Sequence, residues 1–478
     1  MVKQKTNKRM ELWFTWYTAA AQLRPACTRT RTFLWLLLTL AAFSLRPDLA
    51  GVTSLVRALD LRGTAYLRLL HFFHSPALPR DQILRCWAAL AGRLFAPWLV
   101  RVQGRLVVVG DGIKRAKEGR KMPAVKCLHQ DSENNSKATY IMGHSCQAVC
   151  LLAECGATAF AVPLACRIHE GLQTAAHGPT LLDKFLALLQ LTGLNEPICL
   201  VADAYYASRK IALPLIQQGG VLISRLRRNA VAYLLPPPLK KRRRGRRPKY
   251  GQKVKLWSLF AQPRRFHRAP SPLAGETKVT IRYFAQQFLW RPLALPILVV
   301  AVIHPVRGSI LLFSTDVTLA PLEVLRLYGR RFKIEVCFKA AIYTVGAFAY
   351  HFWLRAMPRL RRGAGDQDLR KTSPAYRRQV ERKVAAYERF MQVGLIAQGL
   401  LQYLALSLSR EVWRNFGSWL RTMNPRQCPS EAVTAQALRR CWPEFLTTSP
   451  KTHTLRKFLQ PWLAPERCPF YKLLKNAA

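Results

Sequence analysis

The spacing of apolar residues divides the chain into stretches of different period. From Thr28 to about Trp98 they return every three or four positions, the period of amphipathic helices. Residues 51–59 and 64–73 flank a short Asp60-Leu61-Arg62-Gly63 turn, which fits a DNA-reading helix-turn-helix as well as an ordinary helical hairpin. From Leu106 to Tyr233, β-branched apolar runs alternate with helical spacing. This predicts strands over 106–110, 140–152, 158–168, 198–202 and 220–225, and helices over 179–191 and 206–217. From Val254 to Leu312 apolar and aromatic segments are broken by Pro and Gly, as in a small β-rich insertion. A strand over 310–313 ends at Ser314-Thr315-Asp316, and a helix begins near Pro321. Beyond His351 an arginine-rich stretch (Arg355, Arg359, Arg361, Arg362) leads to about Pro374, followed by long helices to Leu408 and shorter ones after it.

Three strands, then helix, strand, helix, strand is the order of an RNase H-like α/β domain, although the first three strands alone fit many folds. The expected fold class is α/β: an RNase H-like catalytic domain (101–235 and 305–350) interrupted by a basic loop and β-rich insertion (236–304). Helical regions flank it, an N-terminal one to residue 100 and a C-terminal one over 351–478. No membrane span is expected. The apolar run 33–45 falls short of the roughly 20 residues a span needs. The run 391–408 carries Gln392, Gln398 and Gln402 at helical spacing and reads as a buried bundle helix, and Pro292 and Pro296 interrupt a third apolar run. No secretory signal pattern is visible at the N-terminus.

Charge narrows the range of partners. Lys and Arg number 75 against 25 Asp and Glu, a formal net charge of +50, which calls for a polyanionic partner, nucleic acid first. Pro236-Pro237-Pro238 precedes the run 240–249, KKRRRGRRPK, where eight of ten residues are basic. Such a block repels itself and cannot pack, so it reads as a loop touching phosphates, or as a plain solvated linker. The twelve cysteines contain no Cys-x-x-Cys pair, and the group Cys146, Cys150, Cys155 with His144 lacks zinc-ligand spacing. Reduced, buried thiols in an intracellular protein are the expectation.

Against this basic background three carboxylates stand out. Asp111 closes the run Leu106–Gly110 and is followed by the basic residues Lys114, Arg115, Lys117, Arg120, Lys121 and Lys126. Asp-Gly after an apolar run is also the commonest two-residue hairpin signal. Asp203 closes Ile198-Cys199-Leu200-Val201-Ala202 in the same way, where it also reads as a helix N-cap. Glu335 lies in LYGRRFKIEVCFK, where Tyr328, Arg331, Glu335 and Lys339 fall on one face of a continuous helix. The same spacing would serve a surface ladder of ion pairs, but Phe332, Ile334, Val336 and Phe338 point to a packed helix. Two strand-end Asp residues and a helical Glu are the donor set of two-metal phosphoryl transfer, and oxygen-only ligands favour Mg²⁺.

These segments, VVVGDGIKRAKEGRKMPAVKCLHQDSENNSK, ICLVADAYY, and FSTD followed by LYGRRFKIEVCFK, resemble the DDE transposases of bacterial insertion sequences. The resemblance spans roughly Asp48 to Trp353. The long interval between Asp203 and Glu335 is similar to the subgroup with a β-rich insertion, whose third motif is Tyr-x2-Arg-x3-Glu-x6-Lys. Tyr328, Arg331 and Glu335 match it; the Lys position holds Ile342.

The resemblance implies a cut-and-paste transposase with Asp111, Asp203 and Glu335 as catalytic residues holding two Mg²⁺, for which Mn²⁺ could substitute. Tyr328 and Arg331 would hold DNA phosphates. The insertion and Lys240, Lys241, Arg242, Arg243, Arg244, Arg246 and Arg247 would grip flanking DNA, and the N-terminal helices would read the terminal inverted repeats. Lys339, one turn beyond Glu335, is close enough to replace the missing Lys. Double-stranded DNA of the element ends and target, a homodimer on paired ends, and a cytoplasmic, DNA-associated location in a prokaryote complete the expectation. An RNase H-like endonuclease without strand transfer, and an inactive DNA-binding remnant, are the alternatives.

Overall fold

The computed structural model describes residues 2–130, 138–236, 248–417, 423–448, 453–469 and 471–472. Its sheet is built on the first long apolar run. Six strands form the first part: β1 (Arg105–Ala116), β2 (Lys126–His129), β3 (Tyr140–Cys155), β4 (Thr158–Ile168), β5 (Ile198–Ala202) and β6 (Val221–Arg225). Val107, Val108 and Val109 of β1 are fully buried, as are Cys199 to Ala202 of β5, because helices cover the sheet there. β1 pairs antiparallel with β3 and parallel with β5. β3 carries β4 and the short β2 on its other side, both antiparallel, and β6 lies parallel to β5. The spatial order is therefore β4-β3-β1-β5-β6.

The segment after the basic run does not make a sheet of its own. Strands β7 (Thr280–Trp290), β8 (Leu295–His304) and β9 (Gly308–Ser314) are antiparallel neighbours, and β9 pairs with β6. With shorter strands this gives one thirteen-stranded sheet among the described residues.

Helix α1 (Leu181–Leu191) connects β4 to β5 and is started by a capping box, in which Thr180 and Asp183 satisfy each other's backbone N–H. Helix α2 (Arg209–Gln217) connects β5 to β6 and is capped by Ser208. After β9 come α3 (Pro321–Arg330) and α4 (Lys333–Ala340), and then α5 (Pro374–Ser407). Among the described residues α5 is the one helix long and apolar enough to cross a membrane, and it runs through the interior. Its glutamines tie it to its neighbours. Gln392 Nε2 donates to Leu164 O (2.8 Å) and Gln402 Nε2 to Ala161 O (3.2 Å), both on β4, while Gln398 Nε2 donates to Cys337 O (3.0 Å) on α4. One apolar core continues from Leu12 to Cys468, joining the N-terminal helices, the sheet and the C-terminal helices. The turn between Gly51–Ala58 and Ala65–His74 is held by the C-terminal segment, with Arg62 N donating to Trp462 O (2.7 Å) and Arg62 Nε to Leu463 O (2.8 Å).

Three local expectations are corrected. Asp111-Gly112 is not a hairpin turn: β1 continues to Ala116, because residues 111–116 keep pairing with 143–148 of β3 and Gly112 stays out of the positive-φ region. The helix expected over 206–217 begins at Arg209, after a single 3-10 turn Ala204–Tyr206. The helix carrying the third motif is broken at Arg331-Phe332. There Arg331, Ile334 and Glu335 donate to carbonyls three residues back, tightening the backbone between α3 and α4. As a result Ile334, Cys337 and Phe338 pack inward while Phe332 and Val336 are exposed.

Candidate active site

In the β1–β5 ladder Gly110 stands opposite Ala202, and the next residue on each strand is Asp111 and Asp203. Neighbouring strands lie about 4.8 Å apart, so the two carboxylates leave the sheet side by side. Asp203 occupies the N-cap position of the 3-10 turn, yet its side chain caps nothing. Its Oδ1 instead meets the Tyr328 hydroxyl, a long contact of 3.4 Å, and Arg225 Nη2 at 3.7 Å.

Arg331 closes the group. Its Nη1 donates to Asp111 Oδ2 at 2.6 Å and its Nη2 to Glu335 Oε1 at 2.7 Å, so one guanidinium bridges the first and third carboxylates. The break between α3 and α4 is what aims Tyr328 at Asp203 and Arg331 at Asp111. Burial raises the Asp111 carboxyl to about 6; Arg331 pulls it down, and Asp203 and Glu335 push it up. Burial works against the Arg331 guanidinium, but Asp111, Tyr328 and Glu335 together hold it above its usual value. The Tyr328 hydroxyl is raised to about 12, by burial and then by Asp203, so it remains a donor at neutral pH. Glu335 is more open, 44% exposed at its side chain.

Lys339 is exposed and makes no ion pair among the described residues, so the Glu335–Lys339 rung of a surface ladder is absent. Ile342 is half-buried and packs against the core. Residues 240–247, which hold all seven basic-run candidates, lie outside the described residues.

Several residues that shape the site are not among the candidates drawn from sequence. A Cβ on Gly110 would lie 2.4 Å from Phe185 Cζ, so only glycine lets α1 sit this close beneath Asp111. Phe185 packs at a tilt against Tyr206 with ring centroids 4.5 Å apart, and Gln147 Nε2 donates to the Tyr206 hydroxyl at 3.5 Å. The double glycine in VVVGDG and the aromatic pair in ADAYY are the signals that mark these positions. Arg225, at the end of β6, is a second cation beside the acids.

The donor set suits a hard divalent cation, since it offers carboxylate oxygens alone and the buried Asp111 gains from positive charge. Among the described residues no three acids converge tightly enough to hold an ion as they stand. The Arg331 guanidinium occupies the space between Asp111 and Glu335 and supplies the positive charge there. Arg331 would have to turn away for these acids to take up an ion.

A family described as DDE superfamily endonuclease matches residues 22–291, more than half of the chain, a span that includes Asp111 and Asp203 and stops short of Glu335. Members of that superfamily depend on divalent metal ions. No curated protein matches the chain. Among solved structures, a piggyBac transposase synaptic complex with hairpin DNA, determined by cryo-EM, is similar at 10% identity over 92% of this chain and 78% of that chain, with a TM-score of 0.37. This chain belongs to the DDE superfamily of endonucleases and is a DDE-type enzyme.

Proposed function

We propose that the chain is a cut-and-paste DNA transposase with an RNase H-like catalytic core, acting through Asp111, Asp203 and Glu335. The observation that carries this reading is that strand pairing sets Asp203 beside Asp111 while Arg331 bridges Asp111 to Glu335 at the mouth of β1 and β5. The order β4-β3-β1-β5-β6, antiparallel and then parallel, supports the RNase H-like assignment.

Asp111, Asp203 and Glu335 would hold two Mg²⁺, or Mn²⁺ in their place, which when bound activate the attacking oxygen and stabilise the leaving one. Arg331, released from the acids, is placed to take a phosphate oxygen of the scissile strand with its planar fork. Tyr328, protonated at neutral pH, donates toward the same phosphate. Arg225 adds a second positive charge beside Asp203. The exposed Lys339 and the basic run 240–247 would contact DNA further out, the N-terminal helices would read the terminal repeats, and a homodimer would hold the two ends.

The family description names an endonuclease, which also fits cleavage without joining. Incubating the protein with DNA carrying its cognate ends, with and without Mg²⁺, separates these readings. Metal-dependent cuts together with joined strand-transfer products are expected. Cuts without joining make it a nuclease, and no cuts under any divalent ion defeat the enzymatic assignment of the trio.

A further inference from the structure

Two basic segments that the active site leaves unused meet at one cleft. The turn after β1 and residues 354–364 are joined backbone to backbone. Leu360 N donates to Arg120 O (2.8 Å), Leu354 N to Lys121 O (2.9 Å) and Cys127 N to Ala364 O (2.7 Å). Lys121 Nζ adds a bond to Arg355 O at 3.0 Å. The cleft between them has a volume of about 930 Å³, and Arg120, Arg359, Arg361 and Arg362 line it. All four arginines are exposed, and none pairs with an acid among the described residues. Glu118 is the acid in the lining, and the buried Lys117 turns its ammonium inward to the carbonyls of Phe348 and Tyr350.

Two large aromatic rings stand open at this cleft. Tyr140 lines it, is 62% exposed, and is braced edge-on by His129 at 5.1 Å. Trp353 is 65% exposed and lies against Gly119, another lining residue, whose Cβ would come within 3.1 Å of its Nε1. Unpaired cations beside solvent-facing rings are the combination that binds a nucleic-acid strand whose bases are free to stack. A duplex keeps its base faces stacked on one another and shows only base edges in its grooves, so it offers these rings nothing to stack on.

We propose that this cleft binds a single DNA strand, with the four arginines on its phosphates and Tyr140 and Trp353 stacking on its bases. Ala116, in the cleft lining, lies on β1 about 17 Å from Asp111 at ~3.3 Å per residue. At the ~3.4 Å per nucleotide of a stacked strand that distance is about five nucleotides, and an unstacked strand covers it in fewer. The cleft is thus placed to hold unpaired DNA leading away from the cut, a detail that rests on the transposase reading.

The test uses the full chain in EDTA and a thymidine oligonucleotide of about 12 residues carrying 5-iodouracil. Illumination should cross-link it to Tyr140 or Trp353, located by mass spectrometry of the peptides. Tyr140→Ala and Trp353→Ala should each weaken binding of the oligonucleotide about tenfold and leave binding of a duplex of equal length unchanged. Replacing Arg359, Arg361 and Arg362 by Ala should flatten the salt dependence by roughly 0.7 log unit for each phosphate no longer neutralised. Cross-links elsewhere on the wild-type chain, or equal losses for single strand and duplex, overturn the proposal. Because no cleavage is read, the result is independent of the trio. Cross-links here with a still-active Asp111→Asn would overturn the catalytic reading alone.

Discussion

Two of the places where polar groups enter the interior of this protein meet opposite treatment. Along α5, the amides of Gln392, Gln398 and Gln402 donate to β4 and α4, and Glu388, 3% exposed, receives Arg80 at 2.8 Å and Arg167 at 3.6 Å. Among the described residues, Nδ1 of His169 and the amide oxygens of the three glutamines have no partner, a neutral deficit of about 1–3 kcal/mol each at most. At the mouth of β1 and β5, Asp111 and Glu335 share Arg331 while Asp203 has Arg225 at 3.7 Å, and the charged form of Asp111 is disfavoured. The α5 row joins parts of the chain to one another. The mouth retains surplus negative charge in a basic protein, and such a surplus is stable only beside a cation from outside. Polar burial alone therefore does not mark a site; uncompensated charge does.

Substitution of the acids should separate the two regions outright. Asp111→Asn, Asp203→Asn and Glu335→Gln should each lower Mg²⁺-dependent cleavage by at least about a hundredfold, since even residues behind the metal ligands cost 10–100-fold. Their melting temperatures should stay level or rise. A variant that cleaves near the parent rate would remove that residue from the site.

Glu388→Ala should do the reverse. Leaving Arg80 and Arg167 without their buried acid should cost about 3 kcal/mol in urea unfolding, with cleavage per folded molecule unchanged. Unchanged stability would mean that the α5 row is not structural.

Arg331→Gln probes the mouth from its cationic side. Without the guanidinium between Asp111 and Glu335, Mn²⁺ binding to the DNA-free protein, followed by electron paramagnetic resonance, should tighten about tenfold, while cleavage falls because no guanidinium is left to hold the phosphate. Weaker Mn²⁺ binding would show that Arg331 positions the acids and does not stand in for the ion.

A gentler effect lies in pH. Burial lowers His144 to about 3 and His169 to about 4, so between these values and 6.5 the folded chain binds fewer protons than the unfolded one. The stability these two histidines contribute is present above about 6.5 and is lost as pH falls through that window, by roughly 1.4 kcal/mol per unit for each. Asp111 partly offsets this loss, because its raised carboxyl takes up its proton in the folded chain from about 6 downward. The urea midpoint measured from pH 7 to 4.5 should show this slope, and His144→Gln should flatten it.

Much of the site was legible from period and charge. Asp111 and Asp203 are marked by the apolar runs that each of them closes, and the parallel pairing of β1 with β5 brings them together. The course of β1 past Asp111 was not legible, because Asp-Gly carries a turn signal that pairing with β3 overrides. Nor was the break at Arg331-Phe332, since the one local signal, Gly329, is tolerated inside many helices and does not by itself mark a break. Arg120 reads in the sequence as part of the basic segment after Asp111, and Arg359 as part of a separate arginine-rich stretch. Only tertiary pairing across more than 200 residues of sequence brings them to one cleft.

Whether the mouth of β1 and β5 is kept for metal ions can be decided by growing crystals with Mn²⁺ and cognate-end DNA and locating the ions by anomalous scattering. Manganese is expected beside Asp111 and Asp203, with Glu335 as a further ligand and Arg331 swung from between the acids onto a DNA phosphate. Manganese bound elsewhere, with Arg331 still bridging Asp111 and Glu335 in the DNA complex, would contradict the assignment.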